Sequence, residues 1–210
     1  MSAADIYNRL RAAGLSAAGA CGLMGNLKAE SSMISNIAQR GLTELSDGAY
    51  TAMFDRSPAA CVRDQVGYGL AQWTYPSRKQ GLWDFAKARG KSVGDEAVQT
   101  DYIIHELKNE FTGLWSFLCA TGDIYSAADR VCREYERPAI NNVEQRSSYA
   151  MGYYEQFCSE EPGDKWYPPD LSLLILQSVL VANGYSCDIT GYKDRQFLGT
   201  LREFVTDIGG

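Results

Sequence analysis

Hydrophobic residues recur along most of the chain at intervals of three and four positions, which is the spacing of one face of an α-helix. Polar, glycine-containing and proline-containing stretches interrupt this pattern and separate the helical segments. The pattern predicts a helix that follows Ser16 and carries Glu30, and further helices over residues 3–13, 47–55, 76–89, 94–110, 126–134, 142–157, 171–182 and 194–205. The sequence therefore predicts a mainly α fold, with a loop-rich segment over residues 35–66.

Side chains at several predicted helix ends can satisfy free backbone groups. Ser2 and Asp5 have the spacing of a capping box, and Gly14 is placed to end the same helix. Ser126 and Asp129 have the same spacing, so we expect a helix to begin at Ser126 and to end before the next proline. These local signals predict where the two helices begin and end.

The second predicted helix carries a carboxylate among apolar side chains. Leu23, Leu27, Glu30 and Ile34 follow one another at i, i+4, i+7 and i+11, the spacing of a single helix face. Removing a carboxyl group from water disfavours its charged form, which suits a proton donor. The alternative is a glutamate at a helix end that only hydrogen-bonds to a neighbouring serine or amide.

Gly22 and Gly25 lie inside this helix. A glycine in a helix interior costs about 1 kcal/mol relative to alanine, so two of them need a reason. We expect another backbone or a substrate to approach the helix closely on this side.

Composition limits the classes of partner. The chain has 210 residues, 45% of them hydrophobic and 22% charged, which is enough for one good-sized domain and a small second one. The net charge of −6 gives no electrostatic footprint for nucleic acid, so we expect no nucleic-acid partner. Thirteen tyrosines and an aromatic content of 11% suit stacking on sugar rings as well as core packing.

The six cysteines are scattered without a CxxC pair, so a zinc ribbon is unsupported and we expect buried free thiols. The N-terminal residues lack the apolar core of a signal peptide, and the longest apolar run, 171–182, is too short to span a bilayer. We interpret that run as a buried helix.

The inventory of reactive residues favours carboxylate chemistry. His105 is the only histidine, so zinc peptidases that need two or three histidine ligands are improbable. The chain has no P-loop, no dinucleotide-binding motif and no EF-hand loop, and we expect no cofactor and no metal ion. Cleavage of a glycosidic bond needs a protonated acid and, in inverting enzymes, a second carboxylate roughly 6.5–9.5 Å away that activates water.

Three motifs carry a resemblance to a known family. The first reads GLMGNLKAES at residues 22–31, the second reads GYGLAQWT at residues 67–74 with Arg78 and Lys79 after it, and the third reads YERP at residues 135–138. In this order they resemble the motifs of the phage tail lysozymes. The pair ES and GLAQ is also similar to the "ES … GLMQ" pair of lytic transglycosylases and goose-type lysozymes. The resemblance covers about residues 3–157.

The resemblance implies a lysozyme-like fold, in which a helical lobe and a small loop or β-hairpin lobe enclose a cleft. It also implies cleavage of the β-1,4 bond between N-acetylmuramic acid and N-acetylglucosamine in bacterial peptidoglycan. Glu30 matches the catalytic acid of the family. The residues that match its other motif positions, and that we expect to bind substrate, are Ser31, Tyr68, Gln72, Trp73 and Tyr135.

The second carboxylate is less clearly marked. Asp64 precedes Gly69 by five residues, as the base of goose-type lysozymes precedes their GLMQ motif, and it is our first choice. Asp47 is the alternative, and a third possibility is that no second carboxylate is required. In that case the enzyme is a lytic transglycosylase, which forms 1,6-anhydro products with one acid/base residue. A non-enzymatic tail or wall-binding protein is the hypothesis from another class, and Glu136 is expected to hold a structural ion pair.

The C-terminal segment differs in character from the rest. Residues 159–170 are rich in proline and charge, so we divide the chain into a catalytic domain over 1–158, a linker over 159–170 and a helical module over 171–210. The module resembles a shortened peptidoglycan-binding domain, and the alternative is a helical extension of the catalytic domain. We expect action on the cell wall, from the virion or after host lysis, with phage tail or lysis proteins as partners.

Overall fold

The computed structural model of the protein describes residues 2–138, 140–158, 171–185 and 195–208. The chain forms two compact units, residues 1–161 and 162–210. In the first unit the helices are α1 (Ala3–Ala13), α2 (Ala17–Ser31), α3 (Asp47–Arg56), α4 (Pro76–Lys87), α5 (Glu96–Asn109), α6 (Thr112–Ala120), α7 (Ile124–Arg130) and α8 (Val143–Cys158). A 3-10 turn covers Pro58–Ala60, and a π-helical segment, Val131–Glu136, continues α7.

The predicted mainly α fold is confirmed, and most helix ends lie where the sequence places them. Ser2 and Asp5 form the capping box of α1, and Gly14 ends that helix with a left-handed backbone (φ 115°). Ser16 caps α2 and Ser46 caps α3. Local side-chain to backbone bonds explain this agreement, because they depend only on residues close together in sequence.

Two predictions about helix ends are wrong, and one helix was not predicted. The helix expected at Ser126 begins at Ile124, because the Asp123 carboxylate accepts the backbone N–H of Ser126 and so acts as its cap. The pattern gave no sign of α6. Helix α2 ends at Ser31, since Ser32 has a left-handed backbone (φ 55°), and Ile34 therefore lies beyond the helix with 44% of its surface exposed.

Helix α2 is the centre of the first unit. Helices α1, α6, α7 and α8 and the π-helical segment all pack against it, and its side chains are buried from Ala18 to Leu27. A helix that is buried on all sides shows no single apolar stripe, because every face meets another element.

The predicted close approach at the α2 glycines is confirmed. A Cβ atom at Gly22 would lie 2.4 Å from the Cβ of Ala127 on α7. A Cβ atom at Gly25 would lie 2.3 Å from the carbonyl oxygen of Arg146 and 2.7 Å from the backbone nitrogen of Ala150, both on α8. The lack of a side chain at Gly22 lets α7 approach α2 closely, and the lack of one at Gly25 does the same for α8.

Replacing Gly25 with Ala is expected to lower the free energy of unfolding by about 1–3 kcal/mol, because the new methyl group meets backbone atoms that move only with the whole of α8. Chemical denaturation measures this. The matched control is Gly152→Ala, in which the added Cβ has no atom within 4 Å. Since Gly152 lies on an exposed face of α8, its replacement should raise the free energy of unfolding by about 0.5–1 kcal/mol. A Gly25→Ala variant as stable as the unmodified protein would contradict the close-packing argument.

The segment between α2 and α4 forms the loop lobe that the resemblance implies. Its β structure consists of isolated antiparallel bridges, in which Tyr68 pairs with Ala38 and with Trp73. The backbone N–H of Trp73 donates to the carbonyl of Tyr68 at 2.9 Å, and the reverse bond is 3.2 Å. These two bonds close the turn that carries the second motif.

The second unit contains α9 (Leu171–Ala182) and α10 (Arg195–Ile208), as predicted within a few residues. Tyr185 packs edge-on against Phe204 and its hydroxyl donates to Asp207 at 2.7 Å, which links the two helices. The interpretation of 171–182 as a buried helix is wrong in part, since Ile175 is 59% exposed. The predicted linker 159–170, and Asp188, Gly191 and Tyr192 of the peptidoglycan-binding pattern, lie outside the described residues.

Two further predictions concern the cysteines and membrane-spanning segments. Within the described part of the chain the cysteines are free thiols, all buried except the half-buried Cys119, as expected; Cys187 lies outside that part. No helix among the described residues is long and apolar enough to cross a membrane.

Candidate active site

Glu30 lies in the last turn of α2, where the helix reaches the surface. Its side chain is 18% exposed, and its Oε1 accepts a bond of 2.7 Å from Nη2 of Arg146 on α8. Arg146 itself is only 7% exposed. The pair joins two helices that the close approach at Gly25 brings together, so the orientation of Glu30 depends on the α2–α8 contact.

Asn26 fixes Arg146 from one turn earlier in α2. Its Oδ1 accepts a 3.0 Å bond from Nη1 of Arg146, and its Nδ2 donates to the carbonyl oxygens of Gly22 and Ala128 at 2.9 Å each. Because Asn26 is fully buried, these bonds leave the guanidinium one well-defined position. Arg146 therefore presents Nη2 to Glu30 and Nη1 to Asn26.

Glu136 is the second carboxyl group in this region. It is the last residue of the π-helical segment, its Oε1 atom is buried, and that atom has no hydrogen-bond partner among the described residues. Burial and then the negative charge of Glu30 raise the pKa of Glu136 well above its usual value, against smaller opposing effects of Arg78 and Arg146. The expected structural ion pair of Glu136 is not formed with any residue that the structure describes.

Glu106 on α5 is a buried anion that gathers parts of two motifs. Its carboxylate accepts bonds from Nε1 of Trp73 at 2.9 Å and from the hydroxyl of Tyr135 at 2.6 Å. It also accepts two bonds from Arg78, 2.7 Å from Nε and 2.9 Å from Nη2. The carboxylate is fully buried while Arg78 is 14% exposed, so the charges neutralise each other inside the core.

This cluster places Trp73 and Tyr135 inside the protein. Trp73 has no exposed surface and Tyr135 is 1% exposed, and the guanidinium of Arg78 lies 4.5 Å from the centre of the Tyr135 ring. In this structure neither side chain is accessible to a glycan, although both are predicted to bind substrate. Their position instead holds the turn of the second motif against the segment that carries Glu136.

The second motif forms a tight turn whose predicted substrate contacts also point inward. Gly69 has a left-handed backbone (φ 75°), and the backbone N–H of the next residue donates to Oε1 of Gln99 at 2.8 Å. Tyr68 is fully buried and its hydroxyl is bonded to Thr51 at 2.7 Å. Gln72 is half-buried, and its Nε2 donates to the carbonyl of Gly69 at 2.9 Å. Of the five predicted binding residues, Gln72 is the one that keeps accessible surface.

Ser31 follows Glu30 but faces its own helix. Its side chain is buried, and its hydroxyl donates to the carbonyl oxygen of Leu27 at 2.9 Å. The structure therefore assigns it to the end of α2 and not to a surface that a substrate can reach.

Asp64 lies in a separate network on the loop lobe. Its carboxylate accepts bonds from Nζ of Lys79 at 2.7 Å, from the hydroxyl of Tyr50 at 2.6 Å and from the backbone N–H of Val66 at 3.0 Å. Lys79 is fully buried, and burial lowers its pKa although the bond to Asp64 opposes that shift. Asp64 is 22% exposed, so it serves as the counter-ion of a buried ammonium while part of it faces solvent.

A surface pocket of about 380 Å³ lies beside Asp64. It is lined by an exposed aromatic ring, an apolar side chain and several hydrogen-bonding groups, which are Tyr75, Leu42, Asp64, Gln65, Thr74 and Pro76. An exposed ring next to polar groups is a surface suited to a sugar. The structure thus places Asp64 at an accessible hollow, and Asp47 elsewhere, where its carboxylate accepts the backbone N–H of Ala38.

Replacing Asp64 with Asn is expected to lower the free energy of unfolding by about 3 kcal/mol, because the buried ammonium of Lys79 loses its counter-ion. Urea denaturation at neutral pH measures this. Asp84→Asn on the exposed face of α4 is the matched control, with an expected change within about 0.5 kcal/mol. Equal stability of the two variants would show that Asp64 is not needed as a counter-ion.

Glu106 and Arg146 were not predicted as site residues, although the sequence carries a signal for both. Glu106 follows Tyr102 by four positions and Ile103 by three on the apolar face of α5. Arg146 lies between Val143 and Ala150 on the buried stripe of α8. A charged residue at an apolar-face position is the same signal that singled out Glu30, and it applies equally to these two.

Comparison with known proteins finds a family that covers most of the first unit. The sequence model of a family described as Phage tail lysozyme matches residues 1–157, which include α1 to α7, the π-helical segment and nearly all of α8. No curated protein matches the chain.

Proposed function

Because the chain belongs to the phage tail lysozyme family, we propose that it is a peptidoglycan glycosidase in which Glu30 acts as general acid. The bond cleaved is the β-1,4 linkage between N-acetylmuramic acid and N-acetylglucosamine. In the proposed reaction Glu30 protonates the glycosidic oxygen, and an oxocarbenium-like transition state forms on the sugar that loses its leaving group. The enzyme acts on the bacterial wall, from the phage particle or after release at host lysis.

The observation that carries this proposal is the position of Glu30. It lies at the end of a buried helix, it is accessible over 18% of its side-chain surface, and Arg146 orients it. A general acid has to be both reachable by substrate and held in one direction, and Glu30 satisfies both conditions. Neither His105, which is exposed and bonded to Asn109 on its own helix, nor the buried cysteines offer a comparable arrangement.

The step that follows protonation of the glycosidic oxygen has two candidate forms. In a muramidase, Asp64 is proposed as the base that activates water, which its exposure and its pocket support. In a lytic transglycosylase, the 6-hydroxyl of the muramic acid attacks and no second carboxylate is needed. The three donors that already occupy the Asp64 carboxylate favour the second form, because they hold it as a counter-ion.

Mass spectrometry of fragments released from purified peptidoglycan tests the proposal and separates its two forms. Reducing N-acetylmuramic acid ends, lost in Asp64→Asn under conditions where that variant is folded, would identify a muramidase with Asp64 as base. Anhydro ends, retained in Asp64→Asn, would identify a transglycosylase. A protein that binds walls of several chemotypes and releases no fragment from any of them would contradict the enzymatic proposal and support a wall-binding role.

A further inference from the structure

The arrangement of Glu30 raises the question of where its proton comes from. A general acid must carry a proton when substrate arrives. In this structure Oε1 of Glu30 accepts a bond of 2.7 Å from the guanidinium of Arg146, and a guanidinium bonds most strongly to an ionised carboxylate. The site therefore needs a neighbouring group that holds a proton.

Glu136 occupies the position of such a group. It ends the π-helical segment, a rare backbone form that is frequent at functional sites, and this segment packs on α2. Its Oε1 is buried and has no hydrogen-bond partner among the described residues. A buried oxygen left unpaired costs free energy, so its presence at this place in the YERP motif calls for a functional reason.

Charged groups on four helices act on Glu136. They are Glu30 on α2, Arg78 on α4, Glu106 on α5 and Arg146 on α8. The two arginines already have anionic partners, Glu106 and Glu30 respectively, so the neutral acid at Glu136 leaves the region without an excess of negative charge. Glu30 and Glu136 interact electrostatically from unlike environments, and in such an arrangement one carboxyl group ionises while the other keeps its proton.

Arg146 has a second feature that fits an ionised Glu136. Its Nη1 and Nη2 are used by Asn26 and Glu30, whereas its Nε is buried without a hydrogen-bond partner among the described residues. Nε of Arg146 is therefore an unpaired donor and Oε1 of Glu136 is an unpaired acceptor. The two side chains also interact electrostatically. Arg146 can therefore stabilise a negative charge on either carboxyl group.

We propose that Glu136 is the proton-sharing partner of Glu30, holding in the free enzyme the proton that Glu30 delivers to the glycosidic oxygen. The O–H bond of Glu136 breaks as the O–H bond of Glu30 forms, and the negative charge passes from Glu30 to Glu136, where Arg146 and Arg78 compensate it. Glu30 then protonates the leaving oxygen. The attacking water or 6-hydroxyl loses one proton, which restores the neutral acid at Glu136. Glu136 acts through Glu30, so it is a positioning residue, and the inference rests on the proposed glycosidase function.

The test compares the pH dependence of kcat for the unmodified enzyme, Glu136→Gln and Glu136→Asp on purified peptidoglycan. Gln keeps the size and neutrality of the acid but has no transferable proton. We expect Glu136→Gln to lose about tenfold or more in kcat at pH 7, a modest share of what acid–base groups contribute. Its optimum should move to a lower pH by about one unit, because Glu30 must then take its proton directly from solvent. Glu136→Asp should restore most of the activity with the unmodified profile.

Stability against pH gives a readout that does not depend on turnover. Because the folded-state pKa of Glu136 is raised, its contribution to stability is fully present below the pH at which an unfolded glutamate titrates. That contribution is lost as the pH rises through the folded-state pKa. The denaturation midpoint of the unmodified protein should therefore fall relative to that of Glu136→Gln from about pH 5 upward.

Each outcome has a definite meaning. An active enzyme whose Glu136→Gln variant keeps the same kcat and the same pH profile would overturn the inference and leave the proposed function intact. A uniform loss at every pH, with an unchanged optimum, would also overturn it, since that is the effect of a structural residue. Midpoints that run in parallel from pH 4 to pH 8 would show that Glu136 is ionised when folded and would overturn it as well. An unmodified protein that releases no fragment would overturn the proposed function and this inference together.

Discussion

Replacing Glu30 with Gln is expected to reduce kcat for peptidoglycan cleavage by about 10²–10⁴-fold, because the amide cannot donate the proton that the leaving oxygen needs. The substitution keeps the length and shape of the side chain, and its remaining oxygen can still accept the bond from Arg146. Arg146 also keeps its bond to Asn26. The loss should therefore appear in kcat with little change in KM, which steady-state release of glycan ends measures.

The control for Glu30 is a glutamate with the same chemistry and no role in the site. Glu144→Gln on the exposed side of α8 removes one negative charge near the same pair of helices. It should leave kcat unchanged, so a loss shared by both variants would indicate a general charge effect on wall binding. If Glu30→Gln turned over at more than a tenth of the unmodified rate, Glu30 would not be the general acid.

Replacing Glu106 with Gln is expected to lower the free energy of unfolding by about 3–5 kcal/mol, since it breaks a buried ion pair and leaves the guanidinium of Arg78 without a counter-charge. Every group bonded to the carboxylate is a donor, so the amide nitrogen would face Nε of Arg78 in one orientation and the donors of Trp73 and Tyr135 in the other. Donor would then meet donor inside the core. Guanidinium chloride denaturation measures the loss, with Glu110→Gln, an exposed position four residues later, as the matched control.

The same variant also tests how the motifs are joined. Tyr135 precedes Glu136, so loosening the bond between Tyr135 and Glu106 should disturb the segment beside Glu30 and reduce activity even at temperatures where the protein is folded. A Glu106→Gln variant within about 1 kcal/mol of the unmodified protein would contradict the view that this carboxylate holds the core of the two motifs together.

The two networks explain why Arg78 and Lys79 follow each other in the chain. Successive residues near the start of a helix point in different directions, and here Arg78 reaches Glu106 while Lys79 reaches Asp64. One network supports the aromatic residues of the second and third motifs, and the other anchors the loop lobe through Tyr50 and Val66. The motif residues that the resemblance assigns to substrate binding are therefore mostly buried in the core.

Short-range features were predictable because their physics is short-range. The capping box at Ser2, the cap at Ser16 and the proline that begins α4 act within one turn of the chain, and all three were predicted correctly. The errors came where two local signals competed, as at Asp123 and Ser126, or where no cap marked a helix start, as at α6.

The sequence by itself determined the helical class, the position of most helices and the close approach at the α2 glycines, because periodicity and glycine placement carry that information. The assignment of Glu30 as general acid stays a prediction. Only the tertiary structure decided which partner each buried charge has. Arg146 lies 116 positions from Glu30 and Tyr135 lies 29 from Glu106. A buried charge requires an opposite charge or a hydrogen-bonding group beside it, but any of several distant residues can meet that requirement. The packing of α8 and the π-helical segment on α2 makes the choice, and with it determines which motif residues face the core.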